Sequence, residues 1–265
     1  MTDPNIFNQF LIWPFINLLI LFYKAFALLH IPGAFGWAIV GLTLAIRLAL
    51  RPMTKKQLES AQKMQLLKPH LDELNKKHKN DKRRFQEEQM KLYREHGINP
   101  AAGCLPLIIS FPILIALYRV FFQVLNTGNM QEVVDQINHI VYFSALHISS
   151  IDLSFFGIDL AAKPSQWQSA GWWLLLIPVI TGVLQWFQMK AMTPAQPVQK
   201  KSDKKDKKQD DFASEMQKQM QFIFPVMIGF AAYSFPFGLS LYWNTFSIMS
   251  IFDRPNRTSS QTPKS

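Results

Sequence analysis

The residue whose type and position carry the clearest chemical consequence is Arg47, a cation inside an apolar run. The surrounding stretch Gly36–Leu50 (GWAIVGLTLAIRLAL) otherwise holds apolar or small residues and one threonine. Such a stretch is typical of a membrane span, in which an arginine costs roughly 3 to more than 10 kcal/mol. Arg47 therefore indicates a water-filled cavity, a translocation path or a buried counter-ion. The alternative is that Arg47 snorkels to the interface, although Arg51 already occupies the easier position for that.

Other residues that could do chemistry form no pattern that indicates a reaction. The sequence lacks HExxH, GxSxG, Walker A and dinucleotide-binding glycine motifs, and its six histidines have no close metal-ligand spacing. The single cysteine, Cys104, excludes a disulfide framework. It has no evident base beside it, so we interpret it as a small buried hydrophobe. We therefore expect no enzyme activity, no cofactor and no metal, but a membrane device driven by binding and by the membrane potential.

The composition is that of a polytopic membrane protein rather than of one large soluble core. Hydrophobic residues make up 49% of the 265 residues, and the charged residues, 17%, are concentrated in blocks between long apolar runs. The first residues, Met1–Asn5 (MTDPN), lack the basic region of a cleavable signal peptide. We therefore expect the first apolar run to remain on the mature protein.

Five apolar runs predict core transmembrane helices. They are Phe35–Leu50, Cys104–Leu125, Ala170–Met189, Gln221–Phe235 and Gly238–Phe252. Pro106 and Pro112 in the second run are tolerated where neighbouring helices or water replace the lost backbone hydrogen bonds. Arg119 lies near the outer end of the same run, and we expect it to snorkel to the outer interface.

A further apolar stretch, Ile6–Leu29, has two placements that the sequence leaves open. Its polar residues fall within one half of a helical wheel; they are Asn8, Gln9, Asn17 and Lys24. The helix could lie in the outer interface or cross the membrane. Both placements give the following span the same orientation, and we slightly favour the interfacial one.

Residues 54–100 differ from the apolar runs because they carry 12 Lys/Arg and 7 Asp/Glu. Apolar residues recur there at helical spacing; they are Leu58, Ala61, Met64, Leu67, Leu71 and Leu74. A turn at His78–Lys82 is followed by a second amphipathic stretch that contains Phe85 and Met90. The pattern predicts a helical hairpin outside the membrane, with a solvated charged loop as the alternative.

The distribution of Lys and Arg orients the chain in the membrane. The hairpin region, the basic stretch Lys200–Lys208 and the tail 253–265 carry 12, 6 and 3 Lys/Arg, whereas Asn126–Ser169 carries 1. We therefore expect the hairpin, the lysine-rich loop and the C-terminus in the cytoplasm. Residues 126–169 are expected outside as short interfacial helices and loops, and the lysine-rich loop is expected to be disordered.

The expected fold is an all-α integral membrane protein of the cell membrane. Its successive segments are an N-terminal apolar helix (1–34), the first core span (35–53), the cytoplasmic hairpin (54–100), the second span (101–126), an extracytoplasmic region (127–169), the third span (170–190), a lysine-rich loop (191–218), the fourth and fifth spans (219–252) and a cytoplasmic tail (253–265).

Four stretches, taken together and in order, resemble the YidC-type membrane protein insertases. Leu44–Lys56 (LAIRLALRPMTKK) is similar to the family's arginine-bearing first core span, and Met64–Pro100 to its cytoplasmic hairpin. Asn99–Tyr118 (NPAAGCLPLIISFPILIALY) is similar to its most recognisable signature, and Phe235–Trp243 (FPFGLSLYW) to its final turn and span. The resemblance covers about residues 6–252.

Two positions depart from the family pattern. Ala102 and Ser110 stand where glycine and glutamine are usual, so a polar role at position 110 is in doubt. The absence of a large extracytoplasmic domain before the core indicates the compact form of the family.

The resemblance implies that the five core helices surround a hydrophilic groove, open to the cytoplasm and to lipid but closed on the outer side. The implied groove residues are Arg47, Thr43, Gln185, Gln188, Trp243 and Asn244. A substrate's short, often acidic tail would enter the groove, attracted by Arg47 in contact with groove water. The substrate's apolar segment would move into lipid without ATP, driven by apolar burial worth about 25 cal/mol per Å².

The resemblance also implies partners, which are nascent membrane proteins and the lipid bilayer. Further candidates are the ribosome, targeting factors and the Sec translocon, and we expect no specific nucleic-acid site. The basic residues that would contact the ribosome or targeting factors are Lys76, Lys77, Lys82, Arg83, Arg84, Lys204 and Lys205.

Two other classes of protein remain as alternatives. A scaffold or assembly factor would act only together with the Sec translocon and would tolerate Arg47→Ala. A small transporter would use Arg47 as its substrate-binding charge and would need a path open to both sides of the membrane.

Overall fold

The computed structural model describes residues 2–78, 81–98, 105–127, 129–192 and 211–253. The fold is all-α apart from one pair of two-residue strands. The α-helices are α1 (Trp13–Leu28), α2 (Ala34–Leu66), α3 (Lys68–Lys77), α4 (Lys82–Glu95), α5 (Leu105–Thr127), α6 (Met130–Ile140), α7 (Trp167–Ala170), α8 (Leu176–Met192), α9 (Asp211–Ser234) and α10 (Phe237–Phe252). The antiparallel strands are β1 (Ser154–Phe155) and β2 (Ile158–Asp159).

Shorter helical turns extend several of these elements. A π-helix, Asn8–Ile12, precedes α1, and 3₁₀ turns lie at Ser144–Leu146, Pro164–Gln166 and Trp172–Leu175. Among the described residues, three helical stretches are long and apolar enough to cross a membrane, namely Asn8–Leu28, Ala34–Leu66 and Trp172–Ala191. Phe111–Gln123 and Gln221–Ser234 are shorter apolar stretches.

The first core helix is longer than the sequence predicts. We expected the span to end near residue 53, but α2 continues without a break from Ala34 to Leu66, with Pro52 inside it. A proline within a helix removes one backbone hydrogen bond and does not force the helix to end. The arginine-bearing span and the first part of the hairpin region are therefore one continuous helix.

The hairpin region then turns twice. Helix α3 begins at Lys68 with Pro69 in its first turn, a position where the missing proline N–H costs nothing. Helix α4 begins at Lys82, where the side chain of Asp81 accepts a hydrogen bond from the backbone N–H of Arg84 (3.0 Å). We call the end of the molecule that carries α3 and α4 the hairpin end.

The opposite end carries residues 129–175, and we call it the loop end. Helix α6 presents Val133, Val134, Ile137 and Ile140 as one buried face. These residues join a hydrophobic core that includes Ile16 and Leu19 of α1, Phe35 and Ile39 of α2, and Leu117 and Phe121 of α5. The apolar core of the molecule therefore lies towards the loop end, where α1, α2, α5 and α6 meet.

Polar side chains along the first helical segment contact α5 and the loop end. The side chain of Asn8 accepts a hydrogen bond from Arg119 (2.5 Å). Asn17 donates to the carbonyl of Ile140 (3.1 Å) and accepts from the N–H of Tyr142 (2.7 Å). Further along α1, the Lys24 ammonium donates to the carbonyl oxygens of residues 145 and 147. Arg119, which we expected to snorkel, is thus engaged by Asn8.

The last helix, α10, packs between α2 and α8, while α9 packs against α8. The first turn of α10 is attached to the loop end, because the N–H groups of Phe237 and Gly238 donate to the carbonyls of Ala162 (2.9 Å) and Leu160 (2.8 Å). These bonds satisfy donors that have no partner inside a helix. Helix α10 is therefore placed so that both of its sides face neighbouring helices.

Candidate functional site

A polar layer lies inside the helical bundle, on the two sides of α10. Its buried members are Thr43, Arg47, Thr181, Gln185, Gln188, Ser240, Ser247 and Ser250. On each helix these residues recur at steps of three, four or seven, so each set lies on one helix face. Buried polar groups are costly in an apolar surrounding unless they are hydrogen-bonded, so the partners of each decide what the layer does.

Arg47 is the charged centre of this layer. It lies 13 residues after the start of α2, about 20 Å along the helix. Its side chain is 4% exposed and forms an ion pair with Asp253 directly after α10, with Nη2 at 3.1 Å from Oδ2. The guanidinium also lies over the ring of Phe246, with Cζ 4.5 Å from the ring centroid, a geometry that favours a cation. Its Nε has no acceptor among the described residues.

Asp253 contacts a second arginine at the hairpin end. Its Oδ1 lies 3.7 Å from Nε of Arg51, whose side chain is 70% exposed, against 16% for the aspartate. The carboxylate therefore bridges one buried and one solvent-exposed cation. Arg51 lies one turn after Arg47 on α2, so both arginines can reach the same carboxylate.

A second set of polar contacts joins α10 to α8. Nε1 of Trp243 donates to the side-chain oxygen of Gln185 (2.7 Å). The amide of Gln188 is used at both ends, because it donates to Oγ of Ser250 (3.1 Å) and accepts from Oγ of Ser247 (2.8 Å). These bonds tie the two helices together.

The remaining predicted groove residues have less direct roles. The hydroxyl of Thr43 donates to the carbonyl of Ile39 in its own helix (2.6 Å). Asn244 leaves its side-chain oxygen without a donor among the described residues. The hydroxyls of Thr181 and Ser240 are also without partners in the described part of the chain, and both line a cavity of about 20 Å³. That volume is enough for about one water molecule.

The contacts of the predicted residues thus fall into two groups. Gln185, Gln188 and Trp243 meet at the contact between α8 and α10, whereas Arg47 lies at the contact between α2 and α10. We expected Arg47 to contact groove water, but Asp253 and Phe246 cover it. The reason is electrostatic: a desolvated guanidinium requires a counter-ion close by, and the end of α10 supplies one.

Asp253, Phe246, Ser247 and Ser250 are site residues that we did not predict. The serines carried a detectable signal, because positions 240, 243, 247 and 250 place polar or hydrogen-bonding side chains on one face of an apolar helix. Asp253 directly follows that helix but was grouped with the polar tail. A pairing across 206 positions of sequence leaves no local pattern.

The predicted basic contact residues lie on or beyond the hairpin. Lys76 and Lys77 end α3, and Arg83 and Arg84 begin α4; all four are exposed. Arg83 forms an exposed ion pair with Glu87 at 3.2 Å. Lys82 is in α4, while Lys204 and Lys205 lie outside the described residues.

Comparisons with known proteins agree on one family. Residues 27–257 match the family described as the 60Kd inner membrane protein family. A membrane protein insertase YidC of Fusobacterium nucleatum is 31% identical over 84% of this chain and 85% of its own length. A YidC insertase of Granulibacter bethesdensis and the chloroplast inner membrane protein ALBINO3 of Arabidopsis thaliana are each 32% identical, over 87% and 83% of this chain.

The chain spans only part of several of these proteins. It corresponds to 36% of the Granulibacter protein and 46% of ALBINO3. A crystal structure of an active YidC insertase with its first transmembrane domain resolved is 27% identical, with a TM-score of 0.56, and covers 92% of this chain and 46% of that one. The profile match over most of the chain and the shared helical core lead to one assignment: the chain belongs to the 60Kd inner membrane protein family, to which it was already similar in its sequence motifs.

Proposed function

We propose that the protein is a membrane protein insertase, which moves the short polar tail of a nascent membrane protein across the bilayer and releases its apolar segment into lipid. The observation that carries the proposal is the buried Arg47 inside an apolar helix. A charge in that position is costly and indicates a function that uses it. The naming of relatives as insertases supports the same activity.

The substrate path that we propose follows both sides of α10. Arg47 attracts acidic groups of the tail, while polar side chains without partners among the described residues, such as Asn244 and Ser240, offer hydrogen bonds to its backbone. The outward faces of α8 and α9 are apolar, with Val226 and Phe230 72% and 75% exposed. These faces suit contact with lipid and with the substrate's apolar segment.

We propose an orientation with the hairpin and the C-terminus in the cytoplasm. The excess of Lys and Arg in residues 54–100 over the loop end supports it. In this orientation we place α1 in the outer interface, because Asn17 and Lys24 both contact the loop end.

The hairpin is the proposed contact for ribosomes or targeting factors. Its exposed cations at the end of α3 and the start of α4 suit phosphate groups, and such contacts weaken with salt. We expect Arg83→Glu combined with Arg84→Glu to reduce co-sedimentation with ribosomes, most clearly at low salt. Lys163→Glu, a charge reversal at the loop end, is the control. Equal ribosome binding by all variants would contradict the proposed contact.

The activity is tested by reconstitution into liposomes. A short single-span substrate with an acidic tail is supplied by cell-free translation, and protease protection of the tail measures insertion. We expect more protection than in empty liposomes, without ATP or a partner protein. Arg47→Ala should lower protection several-fold for acidic tails, and Arg47→Lys should retain part of it because the charge remains.

Two results would contradict the proposal. Protection equal to that of empty liposomes with every substrate would point to a scaffold that needs the Sec translocon. Passage of a small solute through the reconstituted protein would point to a transporter.

A further inference from the structure

Asp253 forms an ion pair with Arg47, the cation that the proposed function assigns to the acidic groups of the substrate. Its Oδ2 lies 3.1 Å from Nη2 of Arg47, and the arginine is 4% exposed, so a substrate carboxylate cannot reach the same nitrogen while the pair is intact. The pair is intramolecular and is therefore present at every substrate concentration. Any acidic group that binds Arg47 must displace Asp253.

Arg51 offers Asp253 a second cation with which it can pair when it leaves Arg47. Its other oxygen, Oδ1, lies 3.7 Å from Nε of Arg51, which is 70% exposed. A small rotation of the carboxylate towards Arg51 would release Arg47 while the aspartate keeps a cation and gains water. Displacement therefore leaves no unpaired buried carboxylate, which would be the costly outcome.

Arg47 also has unused binding capacity. Its Nε has no acceptor among the described residues, although a guanidinium offers five donors in a fork suited to a carboxylate. Asp253 therefore satisfies only part of the group. An incoming carboxylate that engages Nε together with Nη2 could form two parallel bonds where Asp253 forms one.

We propose that Asp253 is a specificity-determining residue: it competes with the acidic groups of substrate tails for Arg47, and Arg51 receives it when a substrate wins. The inference rests on the proposed function of Arg47. Its consequence is a weaker preference for acidic tails, because a ligand's apparent affinity falls by the fraction of protein in the competent state. Tails with a carboxylate must displace Asp253 to bind Arg47, whereas neutral tails do not compete for Arg47 and are unaffected.

The test measures the ratio of insertion for two substrates that differ only in their tails, one acidic and one with Asn and Gln in place of Asp and Glu. Both are inserted by the same liposome preparation, so the ratio does not depend on how much protein is folded. With Asp253→Asn we expect the initial rate for the acidic tail to rise about fivefold, with little change for the neutral tail. Asp253→Glu, which keeps the charge, should restore a ratio close to that of the wild type.

Arg51→Gln is a second variant, and it should change the acidic-to-neutral insertion ratio in the opposite direction to Asp253→Asn. It leaves no buried charge unpaired. Without Arg51 the aspartate depends on Arg47 alone, so the acidic-to-neutral ratio should fall. In the double variant Arg51→Gln/Asp253→Asn the loss of Arg51 should have no further effect. Glu95→Gln, which removes one negative charge as Asp253→Asn does but from an exposed hairpin residue, should leave the ratio unchanged.

An unchanged ratio in Asp253→Asn would overturn the inference, as would a ratio that falls as it does in Arg47→Ala. Either result would show that Asp253 supports Arg47 rather than competing with substrates. These results differ from a failure of the proposed function, in which the wild type itself gives no insertion of either substrate.

Discussion

Glycine residues at two helix starts show how closely aromatic rings pack against the helices. A Cβ at Gly238 would lie 2.0 Å from Cζ of Phe121, and one at Gly36 would lie 2.1 Å from Cδ2 of Phe155. Real Cβ atoms do not approach other atoms so closely, so a larger residue at either glycine would clash with the aromatic ring beside it. The glycine of the Phe235–Trp243 motif is thus required by the ring of Phe121 rather than by backbone conformation.

We expect Gly238→Ala to lower the free energy of unfolding by about 1–3 kcal/mol, the usual cost of overpacking a core. Thermal unfolding of the purified protein in detergent measures the change. Gly182→Ala is the control, because its Cβ would come no closer than 3.4 Å to the carbonyl oxygen of Pro225. Phe121→Leu should partly rescue Gly238→Ala, and a Gly238→Ala protein as stable as the Gly182→Ala one would contradict the packing described.

The sequence identifies Arg47 as a residue that needs a partner or a polar surrounding, because a cation in an apolar run is unusual at any position. Its partner could not be predicted, since Asp253 becomes significant only after α10 is packed beside α2. Gln185 and Gln188 were predicted as groove residues, but the structure shows Gln188 bonded at both ends of its amide. Residue type indicates that a side chain needs partners, whereas tertiary packing decides which partners it finds.

At the scale of helices, Gln188 is the main polar contact between α8 and α10. We expect Gln188→Leu to destabilise the protein by about 1–2 kcal/mol, since interhelical hydrogen bonds in membrane proteins contribute about 0.6 kcal/mol each on average and two serine hydroxyls lose a partner. Chemical unfolding in detergent micelles is the measurement.

A double-mutant cycle separates this contact from a change in volume. Gln188→Leu and Ser247→Ala should show a coupling energy of about 0.5–1 kcal/mol, because each removes the same hydrogen bond. Strictly additive effects would show that the two side chains do not interact in the folded protein.

Asn17 attaches α1 to the loop end by accepting from Tyr142 and donating to Ile140. Replacement by leucine leaves a backbone N–H and a carbonyl without their partner, a loss of about 1–3 kcal/mol. We therefore expect faster hydrogen exchange at the amide of Tyr142 in Asn17→Leu, measured by mass spectrometry of peptides covering residues 140–150.

Gln9→Leu provides the comparison for Asn17→Leu. Gln9 lies in the same helical segment, and its side chain makes one long, exposed hydrogen bond of 3.4 Å to the carbonyl of Pro4. Its replacement should leave exchange at residues 140–150 unchanged. Equal exchange in the two variants would mean that Asn17 does not hold α1 in place.

The apolar and amphipathic periodicity of the sequence predicts where helices form, but it does not predict where each helix ends. The sequence predicts a boundary between the span and the hairpin region after residue 53, because composition changes there from apolar to charged. The change in composition does not end the helix, and α2 continues to Leu66. The helical structure is interrupted instead before α3, which has Pro69 in its first turn, and before α4, which is capped by Asp81.

For the whole molecule, the burial of Arg47 suggests a closed resting arrangement that a substrate must open. The apolar core near the loop end holds α1, α2, α5 and α6 together, while α10 also contacts α2 and α8 through an ion pair and side-chain hydrogen bonds. Polar contacts can be exchanged for contacts with a polar substrate, whereas an apolar core cannot. We therefore expect α10 to be the helix along which a tail moves.

The most direct test of this account is photo-crosslinking from the tail of a ribosome-bound, partly inserted substrate, with the attachment sites mapped by mass spectrometry. The account predicts crosslinks to α2 and α10 near Arg47 and Trp243, which weaken when the acidic residues of the tail are neutralised. Crosslinks confined to the exposed faces of α8 and α9, such as Val226 and Phe230, would contradict it.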